Sequence, residues 1–438
     1  MLLRSSRRLT ALTIGAVFAA CGGESGGIVL DDDGIGGVVT SSTGPEAGVW
    51  VIAETDDLGT RFARIVVTDD QGRYLVPDLP EAEYRVWVRG YGLVDSEPVP
   101  AARGQLVDLS AEVARDPAVA ARVYPAAYWY AMMGLPTEVE VAEFDGGMNE
   151  YLTWVKNMGC VGCHQLGQES TRTIPDDFAH MESEDAWWRR IASGQAGGSM
   201  VGTATRFGGL PVKYMAEWTD RIADGEIPSQ RPARPSGVER NVVATVRDWS
   251  SPQFYMHDLS GTDRRDPTVN GYGKLYGAPE LSTDEMPILD PVANEATVFR
   301  LPVRDDDTPT TNDDEVVAPS PYWGEERIWD SRANVHNPML DQDGRVWLTA
   351  RIRGPENPAF CREGSSHPSA VLYPKERTGR HLAVFDPETE AYTFVDTCFS
   401  THHLQFAYGP GNRLWTSGGG DVVGWLDTDR FLETGDAA

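Results

Sequence analysis

Cysteine is scarce: five occur in 438 residues, too few for a loop-rich fold held together by disulfides. Basic clusters are absent beyond the first eight residues, and the net charge is −28. A nucleic-acid backbone would therefore be repelled. The acidity is spread along the chain rather than gathered in a tail, so it reads first as a solubilising surface, with steering of a cationic partner as the functional alternative. The apolar run Leu12 to Phe18 is too short to span a bilayer. With 41% hydrophobic residues and aromatics throughout, the chain can bury ordinary cores in two to three domains.

Two of the few cysteines stand in Cys160-Val161-Gly162-Cys163-His164. In C-x-x-C-H each thiol can add across one vinyl group of a single porphyrin, and the adjacent imidazole then lies under the iron. Chance would produce the pattern roughly once in a thousand chains of this composition. A structural zinc site would need a fourth ligand, and no second Cys-x-x-Cys pair exists. A thioredoxin-like redox pair would follow a strand, whereas this stretch reads as helix and loop. The expectation is one covalent haem c held by Cys160 and Cys163, with His164 as proximal ligand.

From 114 to 234 helical periodicity dominates. Met148, Leu152 and Val155 form a stripe leading into Cys160, and Met215, Trp218 and Ile222 form another between Pro211 and Gly225, which mark a helix start and stop. This order resembles a class I cytochrome c over roughly a hundred residues. Met200 lies in the Gly-rich stretch Gln195 to Met200, read as a loop between helices, where the axial methionine of such domains falls. A thioether favours ferrous iron and raises the potential. His180 is the alternative sixth ligand, with a lower potential. Met181 and Met215 read as core residues, and Trp187 and Trp188 as pocket walls or plain packing.

Residues 1–21 read as an export signal: Arg4, Arg7 and Arg8 precede the apolar run, and Ala19-Ala20-Cys21 resembles a bacterial lipobox in which Cys21 is acylated. Ser6-Arg7-Arg8 also hints at a twin-arginine signal. The expected location is the periplasm or cell envelope, as a lipoprotein anchored to the membrane through Cys21. Cleavage without lipidation is the alternative.

Residues 28–113 alternate apolar and polar positions in short runs broken by turns. Thr68, Asp69, Gly72 and Tyr74 in one strand pair, then Tyr84, Val86, Val88 and Gly92, resemble the carboxypeptidase-regulatory-like domain. That resemblance implies a β-sandwich used as a spacer or docking module.

Residues 236–438 return to strands. Ile288-Leu289-Asp290-Pro291 and Leu382-Ala383-Val384-Phe385-Asp386-Pro387 each read as strand, turn, strand, and a unit ending in Arg345-Val346-Trp347 recurs about 68 residues later at Arg413-Leu414-Trp415. These units resemble blades of the streptogramin lyase (virginiamycin B lyase) β-propeller, in an incomplete ring of three or four blades. The resemblance implies a catalytic histidine and a divalent metal at the channel mouth, with His336, His402 and His403 as candidates. Hydrogen bonding of these rings to backbone in the blade core is the alternative. Cys361 and Cys398 are expected to form a disulfide in an oxidising compartment; a metal site of Cys361, His367 and Cys398 is the weaker option.

The fold class expected is therefore multidomain α+β: sandwich, haem segment and incomplete propeller. The leading function is an exported monohaem cytochrome that transfers electrons, its propeller holding a redox partner protein or small-molecule substrate. The alternatives are an enzyme, either a streptogramin-type lyase or a periplasmic oxidoreductase, and a cell-surface interaction scaffold.

Overall fold

The computed structural model describes residues 27–163, 165–310, 313, 318–418 and 422–437. The expected signal with Cys21, and the expected ligand His164, lie outside the described residues. The chain is mixed α+β, with several separate sheets, none closed into a barrel among the described residues. Among them, no helix is long and apolar enough to cross a membrane.

Alternation builds the N-terminal region. Along Tyr84–Arg89, Tyr84, Val86 and Val88 are buried while Arg85 and Arg89 are exposed, because successive strand side chains face opposite ways. This strand belongs to an antiparallel sheet ordered Ala244–Asp248, Arg61–Val67, Trp50–Thr55, Tyr84–Arg89, Val99–Ala101. A second group forms round Ile35–Ser41, which pairs antiparallel with Arg73–Val76 and parallel with Gln105–Leu106 and Leu109–Ser110. Val51, Phe62 and Val86 from the first sheet and Ile35, Val39 and Tyr74 from the second share one apolar core.

Two details differ from the sequence reading. The turn at Asp69 exists, with Asp69 Oδ1 accepting from the backbone of Gln71 and Arg73 at 2.9 and 2.8 Å. Its flanking strands, however, enter different sheets. The Thr68 hydroxyl donates to the Glu46 carbonyl at 2.6 Å and holds the chain at the crossing. The second difference is that residues 244–248, grouped on sequence grounds with the C-terminal region, return to pair with Arg61–Ile65 at the edge of the first sheet. Arg234 and Glu46 form an ion pair at 2.5 Å beside this return.

Helices fill the stretch from Pro117 to Ala223. Gly147–Leu152 continues into a π-helical stretch, Thr153–Asn157, and then Gly159–Cys163 carries Cys160. Tyr151 and Val155, four residues apart on one face, are fully buried, whereas Leu152 is half-buried. Leu210–Ala223 has Pro211 in its first turn, and Gly225 follows with φ +97°. Trp218 Nε1 donates to the Trp129 carbonyl at 3.0 Å, and Trp187 Nε1 to Thr219 Oγ1 at 3.1 Å, which satisfies both buried indoles.

The C-terminal region holds three sheets, antiparallel except for Gly261–Thr262, which pairs parallel with Met339 and Leu340 in the second. The first runs Asp258–Leu259, Leu275–Ala278, Glu285–Asp290, Glu295–Arg300; the second His336–Leu340, Val346–Ala350, His381–Asp386, Ala391–Val395; the third Leu404–Phe406, Arg413–Ser417, Val423–Asp427. Their first strands lie together. Asn337 N–H donates to Asp258 Oδ2 at 3.0 Å and Leu404 N–H to Asn337 Oδ1 at 2.6 Å. Val346-Trp347, just after Arg345, and Arg413-Leu414-Trp415 both fall on second strands. Trp347 is buried and donates to Asp341 Oδ2 at 2.9 Å, whereas Trp415 is partly exposed.

Candidate functional site: an apolar cavity and an imidazole cluster

Between the helices and the C-terminal strands lies a cavity of about 560 Å³, within the range that holds one cofactor or drug-sized molecule. Cys160 and Met200 both line it, with Trp187 and Met215 from the helices, Leu166 from a turn between two of them and Trp329 from the strand region. Arg190 is the one charged side chain on its wall among the described residues. Burial pushes the Arg190 guanidinium below its ordinary pKa, and an anionic group entering the cavity would relieve that cost.

Met200 sits in the helix Gly197–Arg206 rather than in a loop. Gly197 is needed there because a Cβ would press on the Ala192 carbonyl, and at Gly194 a Cβ would overlap the Met200 methyl. Gly194 thus makes the space that Met200 uses. Of the other sequence candidates, Trp187 is on the wall, Met215 is both core and wall, and Trp188 packs over Gly209 instead. His180 is exposed and does not reach the cavity. Cys163 ends its helix.

The residues present suit a covalent haem. A thiol and a thioether face one space and its walls are mostly apolar; the guanidinium of Arg190, the cation on them, already donates to the Thr173 carbonyl at 2.9 Å and to that of Ser170.

The second site lies where the three first strands converge. His336 opens one of them, His257 immediately precedes another, and His402 and His403 precede the third. The ring centroids of His336 stand 4.4 Å from His402, 5.0 Å from His403 and 4.6 Å from His257. Ligating nitrogens of His336, His402 and His403 lie within 4.8 Å of one another, as do the donor atoms of His257, Asp258 and His336. A register shift after His336 turns this end of the strand, as bulges beside functional sites do. Thr349 Oγ1 lies 3.0 Å from the carbonyls of both His336 and His402 and ties the two segments.

Electrostatics divide the rings. Burial opposes charge on His336, but Asp258 Oδ2 at 2.9 Å and Glu280 Oε2 at 3.4 Å from Nδ1 prevail and raise its pKa to about 8. Burial disfavours the Asp258 carboxylate, yet close contacts with His257 and His336 hold it well below the usual carboxylate range. Against the same burial, His336 and Arg380 bring Glu280 to about 2. Burial, then the neighbouring rings of His336 and His403, push His402 down to about 4, and His403 is lowered for similar reasons. Neither ring nitrogen of His336, which is fully buried, has a hydrogen bond among the described residues: Nδ1 stands in ion-pair contact with Asp258 and Glu280, and Nε2 has no such contact. A buried nitrogen of this kind is costly unless something binds it.

The structure thus brings His336, His402 and His403 together and adds His257, Asp258 and Glu280, which sequence reasoning missed. A histidine at the start of each first strand was the available signal. His381, in contrast, is buried away from this group, with Nδ1 3.1 Å from the Thr397 carbonyl. Cys361 and Cys398 are joined in a disulfide, which takes up both sulfurs of the weaker metal option, and His367 caps a helix by accepting from Ser369 N–H at 3.3 Å.

No protein-family model matches the sequence, and no curated protein matches it either, so the chemistry of both sites rests on the residues that form them.

Proposed function

We propose that this chain is an exported c-type cytochrome with one covalent haem, tethered to the cell envelope through Cys21, and that it transfers single electrons to or from a redox partner. The observation that carries this reading is that Cys160, of the C-x-x-C-H run, and Met200 line the same apolar cavity. Cys160 and Cys163 would bond the vinyl groups, His164 and Met200 would hold the iron, and Arg190 would pair a propionate. Haem, when bound, supplies one-electron chemistry at its iron. Trp187, Leu166 and Met215 exclude water from it, and the neutral Met200 sulfur favours the reduced state. In this reading residues 28–113 are a regulatory-like sandwich, 114–234 the cytochrome segment and the C-terminal sheets blades of a propeller that presents the partner-binding face. Expression with a cytochrome-maturation system tests it: a c-type α band in the reduced spectrum and a mass increase of one haem are expected, both absent from Cys160→Ala/Cys163→Ala. Colourless protein of bare peptide mass would overturn it.

The imidazole cluster favours a second reading, in which the strand region is an enzyme. A divalent metal at His336, His402 and His403, with a ring acting as general base, would suit elimination of the streptogramin lyase type. Incubation with a streptogramin B antibiotic decides: linearised product supports it, and an unopened ring with metal-loaded protein removes it.

A further inference from the structure

The cavity and the imidazole cluster share one short piece of chain. Tyr255 lines the cavity, and two residues on is His257. The Tyr255 ring stands edge-on to the His257 ring with centroids 6.0 Å apart, and His257 lies 4.6 Å from His336. Aromatic contacts therefore run from the cavity wall into the centre of the cluster.

We infer that the cluster of His257, His336, His402 and His403 is a copper site, and that Tyr255 and His257 connect it electronically to the haem cavity. The inference rests on the haem reading above. Imidazole nitrogen suits copper as it suits zinc, iron and nickel, and among divalent first-row ions such a site binds Cu²⁺ most tightly. The buried, unpartnered Nε2 of His336 points to a ligand. The carboxylates of Asp258 and Glu280 offset the cation's charge, and the exposed rings of His402 and His403 give it a way in. The step is one electron. Tyr255 and His257 pass it from ferrous iron to cupric ion, leaving ferric iron and cuprous ion, with no proton moved and no bond made. Tunnelling falls steeply with distance, and contact through covalent bonds and packed rings shortens the gap that must be crossed.

The test uses the full, haem-bearing chain, stripped of metal, reduced, freed of reductant and kept anaerobic. Addition of one equivalent of Cu²⁺ is expected to bleach the α band in proportion, with loss of the cupric EPR signal, while Zn²⁺ binds without bleaching. His402→Ala/His403→Ala, at exposed positions, is expected to weaken Cu²⁺ binding at least tenfold. Tyr255→Leu is expected to slow bleaching at least tenfold at unchanged Cu²⁺ affinity, and Tyr255→Phe to restore the rate. Haem-bearing protein that takes up no copper overturns the site alone. Copper that binds but leaves the α band intact, or bleaching as fast in Tyr255→Leu, overturns the connection. Colourless protein that binds copper overturns the connection together with the haem reading.

Discussion

Asp258 Oδ2 sits 2.9 Å from Nδ1 of His336 and also accepts the Asn337 backbone N–H at 3.0 Å, so one carboxylate fixes both the ring and the bend that aims it. In metal-free protein the folded pKa of His336, about 8, exceeds its reference value of 6.5. Such a group adds stability that is complete below the unfolded pKa and is lost as pH rises through the folded one. Asp258→Asn is expected to cost on the order of 1–2 kcal/mol at pH 6, with the difference shrinking above pH 8. Thermal unfolding of both proteins from pH 5.5 to 9 measures this, and a difference independent of pH would refute the assignment.

Asp341 and Asp69 build the same turn. Each accepts from the backbone two and four residues on and from the arginine Nε at i+4, at 2.9 Å for Arg345 and 2.7 Å for Arg73, and each turn has a left-handed glycine, Gly344 at φ +83° and Gly72 at φ +73°. Only Asp341 also satisfies a buried indole, that of Trp347. Leaving a buried donor unpaired costs about 1–3 kcal/mol, so Asp341→Ala should be less stable than Asp69→Ala by that amount. Denaturant unfolding compares them, and equal losses would show that the indole bond contributes nothing.

If the cavity holds haem as proposed, ligation by Met200 would carry a spectroscopic signature. Ferric protein should show a near-infrared thioether-to-iron charge-transfer band, absent from Met200→Ala. Because a Cβ at Gly194 overlaps the Met200 methyl, Gly194→Ala should weaken or shift the same band while the haem stays covalently bound. A band unchanged in Met200→Ala would exclude that ligand.

The Cys361–Cys398 bridge closes a loop with a sequence separation of 37. Chain-entropy arguments give it roughly 3–4 kcal/mol. Cys361→Ser/Cys398→Ser should unfold at correspondingly lower denaturant concentration. If the two midpoints coincide, the bridge does not stabilise the fold.

Legibility in the sequence followed how local the cause was. The alternation at Tyr84–Arg89 occupies six consecutive residues and could be read directly, as the strand shows; the C-x-x-C-H run is equally local as a pattern. Half of the imidazole cluster was readable, since His336, His402 and His403 stand beside recognisable strands. His257 and Asp258 adjoin a strand of two residues, Asp258–Leu259, too short to show a period, and Glu280 reaches the site from the loop after Leu275–Ala278. The Gly197-Gly198 pair suggested a loop at Met200, but Gly197 serves a close approach to Ala192 inside a helical start. Ala244–Asp248 is mostly exposed, as an edge strand can be, and carried no apolar signal.

That late strand has a consequence for biogenesis. Arg61–Val67 finds its outer neighbour only when residues 244–248 are available, about 180 positions downstream. As the polypeptide is delivered from its N-terminus, the first sheet waits with bare amide and carbonyl groups along one side until the whole helical stretch has followed, an interval in which another chain could dock there instead.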